Sequence, residues 1–231
     1  SAQSEIEKAF QNNRQPILTG GTGLYLEFLM HGRSAMPNVA ESFNWQAKSD
    51  YETQGGAALL EKLVAVDASA AKLNPGDRAR VIRAYSVYLA TGRGMGDWQK
   101  NFQPPAHAWT YKTIILLPER QQLYRNIDTR FLRMIETGVM EEVKAAMGRG
   151  VPADHPAHKA HGARELQNVL EGRWSLEKAT ARSQQVTRNY AKRQFTWFKN
   201  RFVNKEKAAG RPVLMLTDAQ NAIDHAKNFM K

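Results

Sequence analysis

A run of small residues at 20–23, Gly-Gly-Thr-Gly, has the composition of a turn that can approach an anion closely. Glycine has no Cβ, so backbone N–H groups in such a turn can point directly at an anionic ligand. The apolar residues that follow predict a helix from Leu24 to about Met30, and the start of a helix adds positive dipole at the same place. Thr22 contributes a hydroxyl that can donate to a substrate or orient it. The alternative is that the glycines serve only the geometry of a tight strand-to-helix turn.

A pair of arginines in the middle of the chain is spaced for phosphate binding. Arg80 and Arg83 are three residues apart on a predicted helix, so they share one face and can grip adjacent phosphates. Asp77 precedes Arg80 by three residues. An ion pair between Asp77 and Arg80 is therefore the structural alternative.

A second group of arginines follows a predicted strand: Arg120, Arg125 and Arg130. Planar guanidinium groups match phosphate oxygens, and ligands bind at the carboxyl ends of strands in open sheets, so this group can clamp a pyrophosphate. Asp128 lies two residues before Arg130 and points elsewhere on the helix, so it does not automatically neutralise the group. The sequence contains no G-x-x-x-x-G-K-S/T, and we infer no nucleoside-triphosphate P-loop within it.

The elements that position these residues are predicted from hydrophobic periodicity. Three short apolar stretches indicate β-strands at 16–19, 111–117 and 211–216. The first leads directly into the glycine turn, and Pro118 ends the second.

The remaining regular structure is predicted to be helical. A polar helical segment spans 38–73 and breaks at Gly55 and Gly56. The turn at 74–77 can cap a helix that ends at Gly92, and 93–105 is expected to be a loop. Further helices are predicted at 123–135, 141–147 and 176–202. We therefore predict two parts, a core portion at 1–37 and 74–231 and an inserted helical unit at 38–73.

The last predicted helix, 176–202, has an apolar side and a basic side. Projection at about 100° per residue places the Tyr190 and Trp197 rings on one face roughly 120° wide. Three cations gather within about 40° on the opposite side: Arg188, Lys192 and Lys199. A solvated face is the ordinary explanation, but the clustering of one sign favours phosphate contact.

The composition points to a nucleic-acid partner. There are 33 Lys and Arg against 22 Asp and Glu, a formal net charge of +11. Such an excess attracts a polyanion at long range. A basic surface kept for solubility is the alternative.

Several classes of protein are disfavoured. The sequence has no Cys, which excludes disulfides and thiolate metal sites, and no apolar run approaches the roughly 18 residues of a membrane span. We expect a soluble, cytoplasmic protein without membrane contact. His155, His158 and His161 recur every third residue, but Pro156 interrupts any helix that would align them, so no metal site is predicted there.

Four segments in order along 16–202 carry recognisable motifs. The first two are T-G-G-T-G-L-Y at 19–25 and N-P-G-D-R-A-R-V-I-R-A at 74–84, followed by V-Y-L-A-T-G at 87–92. The other two are L-Y-R-N-I-D-T-R at 123–130, with Met134, Gly138, Glu142 and Val143 after it, and Y-A-K-R-Q-F-T-W-F at 190–198. All four resemble the signature motifs of the tRNA dimethylallyltransferases, also called tRNA isopentenyltransferases.

The resemblance implies a fold and an activity. The fold would be α/β, with a P-loop-kinase-like core of parallel sheet and flanking helices, an inserted helical subdomain, and a high helix content in this chain. The activity would be transfer of a dimethylallyl group from dimethylallyl diphosphate to N6 of the adenine 3′-adjacent to the tRNA anticodon. Mg²⁺ is implied as cofactor, with its ligands in a segment that has no counterpart here and in the diphosphate. The partner would be the tRNA anticodon stem-loop, and we expect a monomer.

The resemblance also implies roles for residues. Thr22, Arg130 and Arg125 are the expected catalytic residues, and the expected substrate-binding residues are Gly20, Gly21, Gly23 and Tyr25. The expected tRNA-binding residues are Arg80, Arg83, Lys159, Gly162, Arg164, Arg188, Lys192, Arg193, Gln194 and Lys199.

The sequence departs from the family pattern in two ways. The family's N-terminal part, with a P-loop and an Asp proposed as general base, has no counterpart here, so we expect this chain alone to be incomplete for catalysis. Ala163 stands where members often have Tyr in Gly-Tyr-Lys/Arg-Glu, which removes the contact of that ring. Two alternatives stay open: a non-catalytic tRNA-binding fragment or paralogue, and a small-molecule P-loop kinase with a degenerate front half. The Lys192 and Trp197 signature argues against the kinase.

Overall fold

A computed structural model describes residues 2–105, 107–150, 155–218 and 222–230. Within these ranges the chain is mainly helical, with two small sheets. It divides into two compact units. Unit 1 comprises Ser1–Lys8 and Leu24–Trp109, and unit 2 comprises Ala9–Gly23 and Thr110–Lys231. The first helix, α1 (Ala2–Gln11), has residues assigned to both units.

Unit 1 is built around two long helices. Its helices are α2 (Gly23–His31), α3 (Glu41–Val66), a 3₁₀ turn (Ala68–Lys72), α4 (Arg78–Thr91) and α5 (Met95–Lys100). Its strands are β1 (Arg33–Ser34) and β2 (Phe102–Gln103), which pair antiparallel. Leu59 and Leu63 of α3 bury against Val81 and Tyr85 of α4, and this apolar contact forms the core of the unit.

Local chemistry fixes the ends and the bend of these helices. The Asp77 side chain accepts a hydrogen bond from the Arg80 N–H and so caps α4, while Gly92 ends that helix in the left-handed conformation at φ 67°. Gly55 bends α3 at φ 79°, a value that favours glycine. A Cβ on Gly56 would lie 2.1 Å from the Pro75 carbonyl oxygen. The backbone of α3 therefore packs closely against the turn that precedes α4, and this approach leaves no room for a side chain at position 56.

Asp67 ties the end of α3 to the start of α5. Its carboxylate accepts hydrogen bonds from the Ser69 N–H at 2.9 Å and the Gly96 N–H at 2.6 Å. Partial burial raises the pKa of Asp67, but the hydrogen bonds from Ser69 and Gly96 outweigh it, and the pKa lies below its ordinary value of 3.8.

Unit 2 combines a parallel strand pair with a set of helices. The strands are β3 (Thr113–Leu116) and β4 (Val213–Leu216), with Thr113 opposite Val213. The helices are α6 (Arg120–Glu136), α7 (Val139–Gly148), a 3₁₀ turn (Pro156–Lys159), α8 (Ala163–Leu170), α9 (Leu176–Thr196), a π-helical segment (Trp197–Phe202), α10 (Val203–Ala208) and α11 (Ala222–Met230). Phe131, Val139, Leu166 and Ala179 form a core among α6, α7, α8 and α9.

A buried ion pair closes the turn between α10 and β4. The Glu206 side chain is fully buried, and both of its carboxylate oxygens accept from the Arg211 guanidinium, at 3.0 and 3.2 Å. The Arg211 N–H also donates to the Glu206 carbonyl oxygen. This arrangement fixes the direction in which the chain enters β4.

Most of the predicted elements are confirmed, and two predictions are wrong. The helices after the glycine turn, at 38–73, after 74–77, and across α6, α7 and α9 are present, as are the strands at 111–117 and 211–216. The strand predicted at 16–19 does not form: Ile17 is 72% exposed, and β3 pairs with β4 rather than with this segment. An apolar stretch becomes a strand only where a partner strand is available. The loop predicted at 93–105 contains α5 and β2.

At the level of class, the helix-rich α/β prediction is confirmed. The helical segment 38–73 lies in unit 1 together with 24–37 and 74–109, so the two units have different boundaries from the two predicted parts. The assignment of 38–73 as an insertion into a catalytic core stays a prediction. Among the described residues, no helix combines the length and apolar character needed to cross a bilayer.

Candidate anion-binding turn and basic helix

The glycine turn of unit 2 lies against the C-terminal end of α9. The Gln194 side-chain amide donates to the Gly21 carbonyl oxygen at 2.9 Å, although the two residues are 173 positions apart. The Gly23 N–H donates to the same oxygen at 3.1 Å. Thr22, between them, is exposed. The turn is thus held from one side and open on the other.

The approach is too close for any larger residue. A Cβ on Gly21 would lie 2.2 Å from the Gln194 amide nitrogen, and a Cβ on Gly23 would lie 2.1 Å from the Trp197 ring. Neither glycine has a positive φ. Glycine is therefore required at both positions by contact with α9 and the π-helical segment, not by backbone conformation.

Aromatic rings support this contact. The Trp197 ring packs edge-on against Phe198, with centroids 5.0 Å apart, and lies 5.5 Å from the Phe202 ring. All three belong to the π-helical segment, a rare conformation that occurs frequently at functional sites. The Trp197 ring, which the sequence predicted to lie in the core, is half-buried and lies close to Gly23.

The predicted basic face of α9 is only partly present. Lys192, Arg193 and Lys199 are exposed. Arg188 instead points at α6, where its guanidinium lies 2.5 Å from the Asp128 carboxylate and only 23% of its side chain is exposed. A carboxylate on the neighbouring helix thus engages Arg188 but not Lys192, and the predicted contact of Arg188 with tRNA stays a prediction.

Exposed cations of α9 and of the π-helical segment that follows it also lie near aromatic rings. Arg193 lies over Tyr190 at 5.7 Å, and Lys199 lies over Phe195 at 5.9 Å. The Tyr190 ring also meets His161 edge-on at 4.6 Å. Cations and rings interleaved in this way present charge for phosphates and flat surfaces for bases.

The arginines of α6 do not form one cluster. They are five residues apart in a regular helix, so each is rotated by about 140° from the one before it. Arg120 lies over Phe195 at 5.5 Å, Arg125 donates to the Gln122 side chain at 2.8 Å, and Arg130 is exposed. The three arginines therefore do not share one face of α6, and their role in a pyrophosphate clamp stays a prediction.

A carboxylate sits at the start of the same helix. Glu119 accepts from the Gln121 and Gln122 N–H groups, both at 2.9 Å, and so caps α6. These two backbone hydrogen bonds, with Arg125 nearby, lower the pKa of Glu119. The carboxylate is committed to the cap and is a poor candidate for a general base.

The remaining predicted RNA contacts are dispersed. Lys159 and Arg164 are exposed around the start of α8. Gly162 is buried: it precedes α8 at φ 91°, and a Cβ would lie 2.7 Å from Phe131, so packing explains this glycine without RNA.

Three of the predicted site residues, Arg80, Arg83 and Tyr25, belong to unit 1. Arg80 is 75% exposed and pairs with Asp77 at 3.2 Å, as the structural alternative proposed, while Arg83 is half-buried on the same helix. Tyr25, in the first turn of α2, is 73% exposed. No group of three His, Asp or Glu side chains within the described ranges is placed to hold a metal ion.

Comparison with known proteins gives a consistent result. The sequence profile described as IPP transferase matches residues 1–201. A tRNA dimethylallyltransferase of Rhodospirillum centenum is 44% identical over 201 residues, covering 86% of this chain and 64% of that protein. Another, of Ehrlichia canis, is 37% identical, covering 87% and 67%. The chain thus spans about two thirds of the length of the curated relatives it matches.

Solved structures agree. The full-length tRNA isopentenylpyrophosphate transferase of Bacillus halodurans is 30% identical with a TM-score of 0.61, covering 99% of this chain and 70% of that one. A eukaryotic dimethylallyltransferase acting on tRNA, 24% identical, has a TM-score of 0.72 over 99% of this chain and 60% of its own and shares the fold. On the match over residues 1–201, this chain belongs to the IPP transferase family.

Proposed function

We propose that the protein carrying this chain transfers a dimethylallyl group from dimethylallyl diphosphate to N6 of the adenine 3′-adjacent to a tRNA anticodon. The relatives that support this are named tRNA dimethylallyltransferases and are 35–44% identical over most of the chain. The proposal includes a P-loop-kinase-like core, a cytoplasmic location and a monomeric protein.

One observation carries the proposal. The turn at 20–23, suited to an anionic substrate, is bonded to the end of α9 that also exposes Lys192 and Arg193. The proposed diphosphate site and the proposed RNA surface therefore meet at one end of one helix. A prenyltransferase acting on tRNA requires both features together.

The reaction exchanges one bond to carbon for another. The C1–O bond to the diphosphate breaks, N6 of the adenine bonds to C1, and pyrophosphate leaves. The N6 proton passes to a general base, the role that the family pattern gives to an Asp. Thr22 is proposed to orient the amine from the turn. Arg130 is proposed to stabilise charge on the leaving pyrophosphate, with Arg125, rotated by about 140° on α6, as the alternative.

The target base must leave the anticodon-loop stack to reach this turn. Unstacking a base from a loop costs less free energy than extruding it from a duplex. Basic side chains that bind the RNA backbone offset that cost. Arg193 and Lys192 on α9, and Lys159 and Arg164 near α8, are proposed to hold the RNA backbone. Mg²⁺ is proposed as cofactor, but no ligand set among the described residues fits it, so no step is assigned to it.

The test uses the complete protein and two tRNA transcripts. The transcripts differ only in having A or G 3′-adjacent to the anticodon, and the donor is radiolabelled dimethylallyl diphosphate with Mg²⁺. We expect label in the A transcript alone, recovered after digestion as N6-dimethylallyladenosine. Tight tRNA binding without label would instead support a non-catalytic tRNA-binding protein. Phosphate transfer from ATP to a small molecule, without tRNA binding at low salt, would support a kinase.

A further inference from the structure

We propose that Gln194 is a positioning residue that fixes the glycine turn and thereby aims Thr22 at the substrate. The activity part of this inference rests on the proposed function. The structural part concerns only unit 2.

The Gly21 carbonyl is held by two donors. One hydrogen bond, from Gly23 N–H, lies within the turn, and the other, from the Gln194 amide, comes from α9. A carbonyl oxygen has two lone pairs, so this acceptor is saturated. The orientation of the peptide group between Gly21 and Thr22 is then set by α9.

That peptide group carries the Thr22 N–H. In a planar trans peptide, the carbonyl of one residue and the N–H of the next point in opposite directions. Because the Gly21 carbonyl points at Gln194, the Thr22 N–H points away from it, toward the open side of the turn. Gln194 therefore sets the direction of this donor and anchors the backbone from which the Thr22 hydroxyl extends.

Steric contact reinforces the hydrogen bond. The three atoms nearest to a Cβ built on Gly21 all belong to the Gln194 side chain, the first at 2.2 Å. The backbone of Gly21 would accept alanine, since its φ is not positive. The Gln194 side chain is what obstructs a methyl group at position 21. The contact between the two residues can therefore be tested by mutating each of them alone and both together.

Gln194 is itself well placed to act in this way. It lies in the last turn of α9, between Arg193, which is exposed, and Phe195, whose ring lies below Arg120 and Lys199. RNA bound to the exposed cations would rest on the same helical turn that holds the Gly21 carbonyl. The arrangement links tRNA docking to the geometry of the turn.

The first experiment separates positioning from RNA contact. Gln194→Met keeps the length of the side chain and removes the donor. The matched control is Gln185→Met, because Gln185 is exposed on the same helix and its side chain bonds, among the described residues, to Arg188 and Asn189 of that helix. We expect Gln194→Met to lower kcat about 10- to 100-fold, with KM for the diphosphate and affinity for tRNA within about twofold of the parent. A loss of tRNA affinity at unchanged kcat would overturn the proposal.

A double-mutant cycle tests the contact itself. Gly21→Ala should lower kcat by a comparable factor in the parent, because its methyl group displaces the amide. In a Gln194→Ala background the same change should cost less than about threefold, since the obstructing atoms are gone. Equal costs in both backgrounds would show that the two residues do not act through each other.

The last measurement does not depend on activity. The 231-residue chain has no Cys, and a Cβ on Gly20 meets nothing within 4 Å, so Gly20→Cys accepts a spin label in open space. We expect the label to become more mobile on adding Gln194→Met and to stay unchanged on adding Gln185→Met. Altered mobility, together with a complete protein that transfers no prenyl group to the A transcript, would uphold the positioning role and overturn the proposed function. Unchanged mobility would overturn the positioning role alone.

Discussion

Removing the Arg188 guanidinium should destabilise unit 2 and leave RNA binding nearly intact. Arg188 joins α9 to α6 through Asp128 at 2.5 Å, and Gln184 of the same helix donates to the Asp128 carbonyl oxygen at 3.1 Å. The variant Arg188→Met keeps most of the aliphatic stem and removes the charge. It therefore tests whether this cation serves the fold or the partner.

The magnitude follows from the exposure of the pair. The Arg188 and Asp128 side chains are 23% and 37% exposed, so the ion pair is intermediate between a surface pair and a buried pair. A surface pair contributes about 0 to 1 kcal/mol, and breaking a buried pair costs about 3 to 5 kcal/mol. We expect a loss of about 1 to 2 kcal/mol in the free energy of unfolding. Arg188→Met combined with Asp128→Leu should recover part of it, because no unpaired charge is then left between the helices.

Urea denaturation measures the stability, and titration of tRNA at several salt concentrations measures the binding. Lys192→Met is the matched comparison, since Lys192 is exposed on the same helix. It should lower the slope of log affinity against log salt by about 0.7 to 0.9 and change stability little. The reasoning would be refuted by the reverse pattern, in which Arg188→Met lowers the salt slope and leaves the unfolding midpoint unmoved.

Three further predictions concern other parts of the chain. The pKa of Asp67 is lowered in the folded protein, so its contribution to stability is present above the unfolded pKa and is lost as the pH falls through the folded pKa. Asp67→Asn should therefore be less stable than the parent at pH 7. Urea denaturation should show this difference in stability closing below about pH 4. A gap that does not narrow as the pH falls would assign the effect to packing. Arg211→Met removes the guanidinium that donates to both carboxylate oxygens of the buried Glu206 and should cost about 2 to 4 kcal/mol. Adding Glu206→Leu should restore part of the loss in the same assay. Thr22→Ala in the complete protein should lower turnover by about 10- to 1000-fold with tRNA affinity nearly normal; unchanged turnover would reduce Thr22 to a turn residue.

Local signals predicted the helices well because the causes of helix formation are local. Asp77 and Gly92 bound α4 through a cap and a left-handed residue, and both are visible as residue types in the sequence. The bend at Gly55 is visible for the same reason. Hydrophobic periodicity then identifies which face of each helix enters the core.

Strands and short elements were harder to predict, because they depend on partners. The segment 16–19 contains Ile17 and Leu18, and 113–116 contains Ile114, Ile115 and Leu116. Of the two, only 113–116 pairs with a strand in the part of the chain that the structure describes. Similarly, α5 is six residues long and is held by the Asp67 carboxylate, which lies 29 positions before the Gly96 N–H. No property of 95–100 alone distinguishes it from a loop.

The candidate site shows the same division at the level of single side chains. The types of its residues, glycines in a turn and cations on a helix, were evident from the sequence, but their contacts were not. Arg188 and Lys192 are one helical turn apart and equally charged, and a carboxylate on α6 makes one an internal link and leaves the other exposed. Gln194 carried no signal beyond its place in a motif, yet it holds a carbonyl 173 positions away. A net charge of +11 counts every cation alike, whereas the surface offered to RNA is set by which of them the fold has already engaged.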